Sequence, residues 1–185
     1  MVIALIGTAG SGKSYLLAEM LRQDPNRPIV LVGLAEDPSL RRFGVKWYVL
    51  EREPAGVKLN PSERVAIDLS PLTPEEAERV LTKVVREVIR HRGGVIAVDE
   101  AHLFLARPSV DLVRYIRGAR HYHIKVYLAT QRWVDIHPHI RAVVRHLFIF
   151  RTVSGRDLEA LSAEPGVDIA RVPRLNCGEY VYVRR

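Results

Sequence analysis

Eight residues near the N-terminus, Gly7-Thr8-Ala9-Gly10-Ser11-Gly12-Lys13-Ser14, satisfy the pattern G-x-x-x-x-G-K-[ST] in full. Each position in that pattern has a physical task. Glycines let backbone N–H groups converge on an anion, and the N-terminus of a following helix adds the positive end of its dipole. A lysine reaches the β- and γ-phosphates of a nucleoside triphosphate, and a hydroxyl holds Mg²⁺. Lys13 and Ser14 are the residues for those tasks, and Tyr15 completes the expected nucleotide-binding set. Two more sites supply hydrolytic chemistry. At Asp99-Glu100 the first carboxylate can bind Mg²⁺ opposite Ser14, and the second can polarise the water that attacks the γ-phosphate. At Gln131 an uncharged amide can bond both the γ-phosphate and that water.

These residues need strands to carry them. Val2-Ile3-Ala4-Leu5-Ile6 before the loop is apolar and β-branched, as a buried parallel strand is. Ser14–Leu21 after it has helical composition. Asp99 follows the apolar run Val95–Val98, and Gln131 follows Ile124–Thr130. Each polar residue is therefore expected at the C-terminal tip of a strand, where ligands of open α/β sheets gather. Further strands are expected at Ile29–Val32, Val45–Leu50, Arg64–Leu69, His146–Arg151 and Glu179–Val183. The longest helix starts at Thr73-Pro74-Glu75-Glu76, with Thr73 as N-cap, Pro74 at the first helical position and Glu76 closing a capping box. Its apolar stripe runs from Ala77 to Ile89 and stops at Gly93-Gly94. Shorter helices are predicted from Ser109 to about Arg120 and from Ser154 to about Ala163. Strands alternating with helices predict an α/β fold with a mainly parallel central sheet flanked by helices, in one domain over residues 1–185.

The composition narrows the partners. A hydrophobic fraction of 48% is that of a globular protein, and no apolar run is long enough to span a bilayer, so a cytosol-like compartment is expected. One cysteine, Cys177, excludes an internal disulfide framework and reads as a small filler residue. The net charge is +7. Between Arg107 and Arg156 lie nine Arg and one Lys against two Asp, so that segment alone carries +8 and the rest −1. Clustered arginine is the footprint of a polyanion-binding surface, nucleic acid above all. Arg132, Arg141, Arg145 and Arg117 are the candidate contacts to DNA or to a neighbouring subunit. Two His pairs, His121/His123 and His137/His139, have strand-face spacing but no nearby Cys, and a metal site is not expected there.

The stretch Val126-Tyr127-Leu128-Ala129-Thr130-Gln131-Arg132, followed by Asp135–Arg141, resembles the sensor region of the FtsK–HerA superfamily. The resemblance continues through His146–Arg151 and Asp157–Leu161 to Pro173–Tyr180. It leaves only residues 34–72 unmatched. It implies a RecA-like P-loop NTPase of the ASCE type, and a ring-forming ATPase that pumps double-stranded DNA. It also implies an arginine before the sensor strand that reaches the neighbouring subunit's nucleotide. Arg120 occupies that place, with Ala119 where the superfamily has Gly and Arg117 close by. A single-domain member without membrane segments is similar to viral genome-packaging ATPases. That likeness implies a hexameric ring, ATP and Mg²⁺ as cofactors, capsid or portal partners, and the host cytoplasm or the virion as location. Plasmid transfer or phage extrusion are related roles. A P-loop small-molecule kinase is the alternative of a different class, which Glu100 disfavours because such kinases place a substrate hydroxyl rather than a water at the γ-phosphate. Asp99-Glu100-Ala101-His102 also spells a helicase box, but the chain is too short for the two motor domains such helicases use.

Overall fold

The computed structural model describes residues 1–185. Strand β1 (Val2–Ile6) is buried along its whole length and runs through the glycine loop into α1 (Lys13–Gln23). Then come β2 (Ile29–Val32), α2 (Pro38–Arg41), β3 (Trp47–Val49) and β4 (Arg64–Asp68). Helix α3 (Pro74–Arg90) leads to β5 (Gly94–Val98), α4 (His102–Leu105) and α5 (Val110–Arg117). The chain closes with β6 (Ile124–Thr130), α6 (Pro138–Arg141), β7 (Val144–Phe150), α7 (Gly155–Ser162) and β8 (Tyr180–Arg184).

The eight strands form one sheet in the order β3-β4-β2-β5-β6-β1-β7-β8. All neighbours are parallel except β8, which returns antiparallel to β7. Parallel strands have to be covered on both faces, which is why β1, β2 and β5 are apolar at every position. One face carries a core of 34 buried residues with the stripes of α3 and α5, and the other a core of 15 with Leu17, Ala18 and Leu21 of α1. The expected α/β architecture is the one observed.

Local signals acted where predicted. The Thr73 hydroxyl accepts from the Glu76 amide while the Glu76 carboxylate accepts from the Thr73 amide, completing the capping box of α3. Ser109 and Ser154 cap α5 and α7. Four departures stand out. The four-residue helices α2, α4 and α6 are too short to show a 3.6-residue period. Strand β3 is three residues rather than six, an edge strand paired on one side only. Helix α5 stops at Arg117, not near Arg120, because the chain turns at Gly118. A Cβ there would come within 2.6 Å of the Tyr122 ring. Neither His pair lies on a strand: His121 and His123 flank the turn into β6, and His137 and His139 bracket the start of α6.

The register decides what meets at the functional edge. Val98 of β5 pairs with Leu128 of β6, and Ile6 of β1 with Thr130 of β6. Because β6 lies between β1 and β5, the residue after it is delivered between the glycine loop and Asp99-Glu100.

Candidate active site

The glycine loop leaves β1 in a tight curve whose closeness requires absent side chains. The Gly7 amide donates to the Thr130 carbonyl at 3.1 Å, and a Cβ at Gly7 would lie 2.7 Å from Phe150 Cβ. Gly12 has φ +103°, a left-handed conformation that costs other residues about 1 kcal/mol or more. Thr8 anchors the loop, its amide and hydroxyl both donating to the Arg151 carbonyl. Ala9 and Gly10 form the exposed crest, and Ser11 is buried. Lys13 is 3% exposed and donates to the Thr8 carbonyl at 3.0 Å. Burial holds its pKa below the ordinary lysine value, against the pull of Glu100 and Asp99.

Across the loop, Ser14 Oγ donates to Asp99 Oδ2 at 2.8 Å, and the Glu100 amide donates to Asp99 Oδ1 at 3.0 Å. Asp99 is 3% exposed. Burial pushes its pKa up to about 6, opposed by the Ser14 bond and reinforced by the Glu100 charge. A serine hydroxyl and a carboxylate facing each other are hard oxygen donors of the kind Mg²⁺ takes when phosphates supply its other ligands. The donor set fits that ion.

Glu100 has φ +47°, in the left-handed region. Its Oε1 accepts from Gln131 Nε2 at 2.6 Å. Its Oε2 is buried with no hydrogen-bond partner, 3.4 Å from His102 Nδ1. His102 in turn lies 3.3 Å from the Thr130 hydroxyl, and burial keeps its pKa below the ordinary histidine value. The three strand tips thus bring Lys13/Ser14, Asp99/Glu100 and Gln131 to one place, as the sequence predicts.

Beside the loop opens a cavity of about 750 Å³ lined by Ser14, Tyr15, Asp37, Phe150, Gly178 and Tyr180 among others. Part of this wall was not legible in the sequence. Cys177 is no buried filler: it is exposed, and its Sγ donates to the Gly10 carbonyl at 3.2 Å. The Gly178 amide donates to the Ser11 carbonyl at 3.0 Å, and Gly178 Cα would be 3.2 Å from a Cβ at Gly12. The β7–β8 pairing brings this segment onto the loop; its own residues carry no motif that announces the contact.

The arginines are dispersed. Arg120 is exposed in the turn before β6, at the opposite end of that strand from Gln131. The seven residues of β6 between them span about 23 Å. Arg117 is exposed at the end of α5 near that same edge. Arg132 follows Gln131 and lies 3.5 Å from Asp135. Arg141 sits 5.9 Å from the Trp133 ring centroid, and Arg145 is exposed at the start of β7.

A family profile described as an AAA domain matches residues 1–135. The chain belongs to the AAA domain family. The chain is similar over 99% of its length to B204, the DNA-packaging ATPase from Sulfolobus turreted icosahedral virus, covering 91% of that chain at 17% identity and a TM-score of 0.72. The genome packaging NTPase B204 from Sulfolobus turreted icosahedral virus 2, in complex with ATP-gammaS, is similar over 99% of this chain and 91% of its own, at 16% identity and TM-score 0.70. VirB4 of Thermoanaerobacter pseudethanolicus is similar over 98% of this chain and 86% of its own, at 10% identity and TM-score 0.73. No curated protein matches the AAA domain in sequence. At these identities the likenesses establish a shared fold, the P-loop NTPase fold. The P-loop NTPase fold that the resemblance implied is borne out, within the AAA domain family. No helix is long and apolar enough to cross a membrane.

Proposed function

We propose that this AAA domain hydrolyses ATP·Mg²⁺ and uses the energy to move double-stranded DNA, as one subunit of a ring that packages a viral genome. The observation that carries the hydrolytic reading is the 2.6 Å bond from Gln131 to Glu100 beside the 2.8 Å contact between Ser14 and Asp99. Lys13 exchanges the Thr8 carbonyl for the β- and γ-phosphate oxygens. Ser14 and Asp99 would hold the ion, which would supply positive charge to offset that of the phosphates. Glu100 orients the attacking water and takes its proton as the bond to the γ-phosphorus forms and ADP leaves. Gln131 Nε2 carries two N–H bonds, so one can stay on Glu100 while the other reaches a γ-phosphate oxygen, linking the base to the triphosphate.

Ring action is supported by the placement of Arg120. Arg120 lies beyond the far end of a strand about 23 Å long from its own Gln131, away from the phosphate site of its own subunit, and is exposed to serve a neighbour's. The fold shared with B204 and the +8 arginine segment support DNA as the load. A hexamer, a capsid or portal docking partner, and work in the host cytoplasm or virion complete the reading.

The test is the ATPase rate with and without duplex DNA. Glu100→Gln is expected to keep nucleotide affinity and lose at least about 100-fold in rate. Arg120→Ala is expected to lose on the order of 10³-fold. Mixing the two variants should restore part of the activity, since each supplies what the other lacks across an interface. A rate indifferent to DNA, with full activity in Arg120→Ala, overturns the ring motor. A phosphorylated small-molecule product formed without DNA would favour a kinase.

A further inference from the structure

On the face covered by α5 and α6 lies a groove of about 640 Å³ that the hydrolytic site does not use. Arg114 and Arg117 of α5 line one wall, His137 and His139 the other, with Val110 at one end and no carboxylate anywhere in the lining. Three residues apart on a helix, the two arginines share one side, with about 4.5 Å of rise between them. Arg117 has no ion-pair partner. Arg114 lies 2.9 Å from Asp111, but both side chains are more than half exposed, and such a pair is readily exchanged for a stronger anion. His137 Nδ1 accepts from the His139 amide, so its neutral ring carries the proton on Nε2, as a further donor.

Resting on the reading that DNA is the load, we propose that this groove is where the subunit grips it, with Arg114, Arg117, His137 and His139 on phosphates of the duplex backbone. Arginines and histidines with no carboxylate among them suit phosphate oxygens, which need charge and hydrogen bonds but no base-specific placement. A second copy of the chain, at net +7, is a poor occupant of a cationic groove. The groove is also wired to the hydrolytic site. The His137 amide donates to the Leu105 carbonyl at 2.8 Å, tying the α6 wall to the short helix that follows Glu100. Residues 131–137 join the same wall to Gln131, pinned by the buried Trp133. This grip leaves Arg132, Arg141 and Arg145 aside.

The experiment measures duplex affinity by fluorescence anisotropy at several salt concentrations, in the presence of a non-hydrolysable ATP analogue, with light scattering to follow assembly. Arg114→Ala/Arg117→Ala is expected to weaken binding about tenfold or more and to reduce the log K against log salt slope by about 1 to 2. Arg114→Lys/Arg117→Lys should restore most of both. Arg86→Ala, an exposed arginine on α3, is the charge control and should leave affinity near wild type. If the double alanine variant matches Arg86→Ala while wild type binds DNA, the groove is wrong and the motor reading stands. If the wild type binds no duplex at all, the motor reading itself falls and the groove with it. Loss of assembled mass in the double alanine variant makes the groove a subunit contact and overturns its role on DNA.

Discussion

Two carboxylates at opposite ends of the sheet are almost closed to solvent, Asp99 with far more protein packed around it, and their partners differ in kind. Asp24, at the end of α1, accepts from Lys125 Nζ and Tyr127 Oη, each at 2.9 Å, and from the Asn26 amide at 3.0 Å and side chain at 2.6 Å. Burial alone would raise its pKa, but the bonds from Lys125, Asn26 and Tyr127 outweigh it and hold the carboxyl below its ordinary value. Asp99 has a neutral hydroxyl and one backbone amide, and burial carries it up to about 6. A buried charge whose partners are complete belongs to the architecture. One left short of positive charge is an unmet demand, and a cation with its phosphates answers it.

That contrast can be broken by substitution. Asp99→Asn should lower ATPase activity by about 100-fold or more while leaving the nucleotide-free protein at least as stable as wild type in urea at pH 8. Loss of folding together with activity would erase the distinction. Asp24→Ala should do the reverse, costing about 2–4 kcal/mol in urea unfolding, with kcat at low temperature within about twofold of wild type. The lower part of that range is favoured because Lys125 is 30% exposed and keeps some hydration.

Acidity sharpens the same comparison, with opposite signs. The folded-state pKa of Asp24 is depressed, so its stabilisation is present above the ordinary 3.8 and disappears as pH falls through the folded value. The gap between wild type and Asp24→Ala should therefore close below about pH 4. The folded-state pKa of Asp99 is raised, so its contribution is greatest below 3.8 and is lost as pH rises through about 6. In EDTA, Asp99→Asn should gain on wild type by about 2–3 kcal/mol between pH 4 and pH 8. A gap that does not change with pH would remove the case for an uncompensated carboxylate. The smallest effect is expected from Tyr127→Phe, which takes one donor from Asp24 and should cost about 1 kcal/mol in urea unfolding.

Most of the hydrolytic edge was legible because its signals are local. The glycine pattern, the apolar strand before Asp99 and the apolar strand before Gln131 each specify a strand tip without knowledge of the rest. Their convergence needed only the rule that parallel strands present the same end. The cavity wall was less legible. Cys177 and Gly178 reach Gly10 and Ser11 only through the antiparallel β7–β8 pairing, a contact 167 residues long in the chain for Cys177. The α2 segment beside the cavity escaped because four residues cannot display a helical period. Arg120 was placed correctly before the sensor strand, but only the three-dimensional path shows it at the far end of the sheet. The α5–α6 groove joins residues from two helices more than twenty positions apart, and its histidines read in sequence as a strand face.

The left-handed backbone of Glu100 bears on how such a chain drifts over generations. Outside glycine and asparagine, that conformation is held at a cost of about 1 kcal/mol or more. Replacement by either residue relaxes the turn while removing the proposed base, so on that reading the inactive protein folds slightly better than its parent. Selection at position 100 must act against folding rather than with it. Copies released from that selection are expected to lose this residue early and keep their shape, leaving decayed descendants recognisable by Gly or Asn after an intact aspartate.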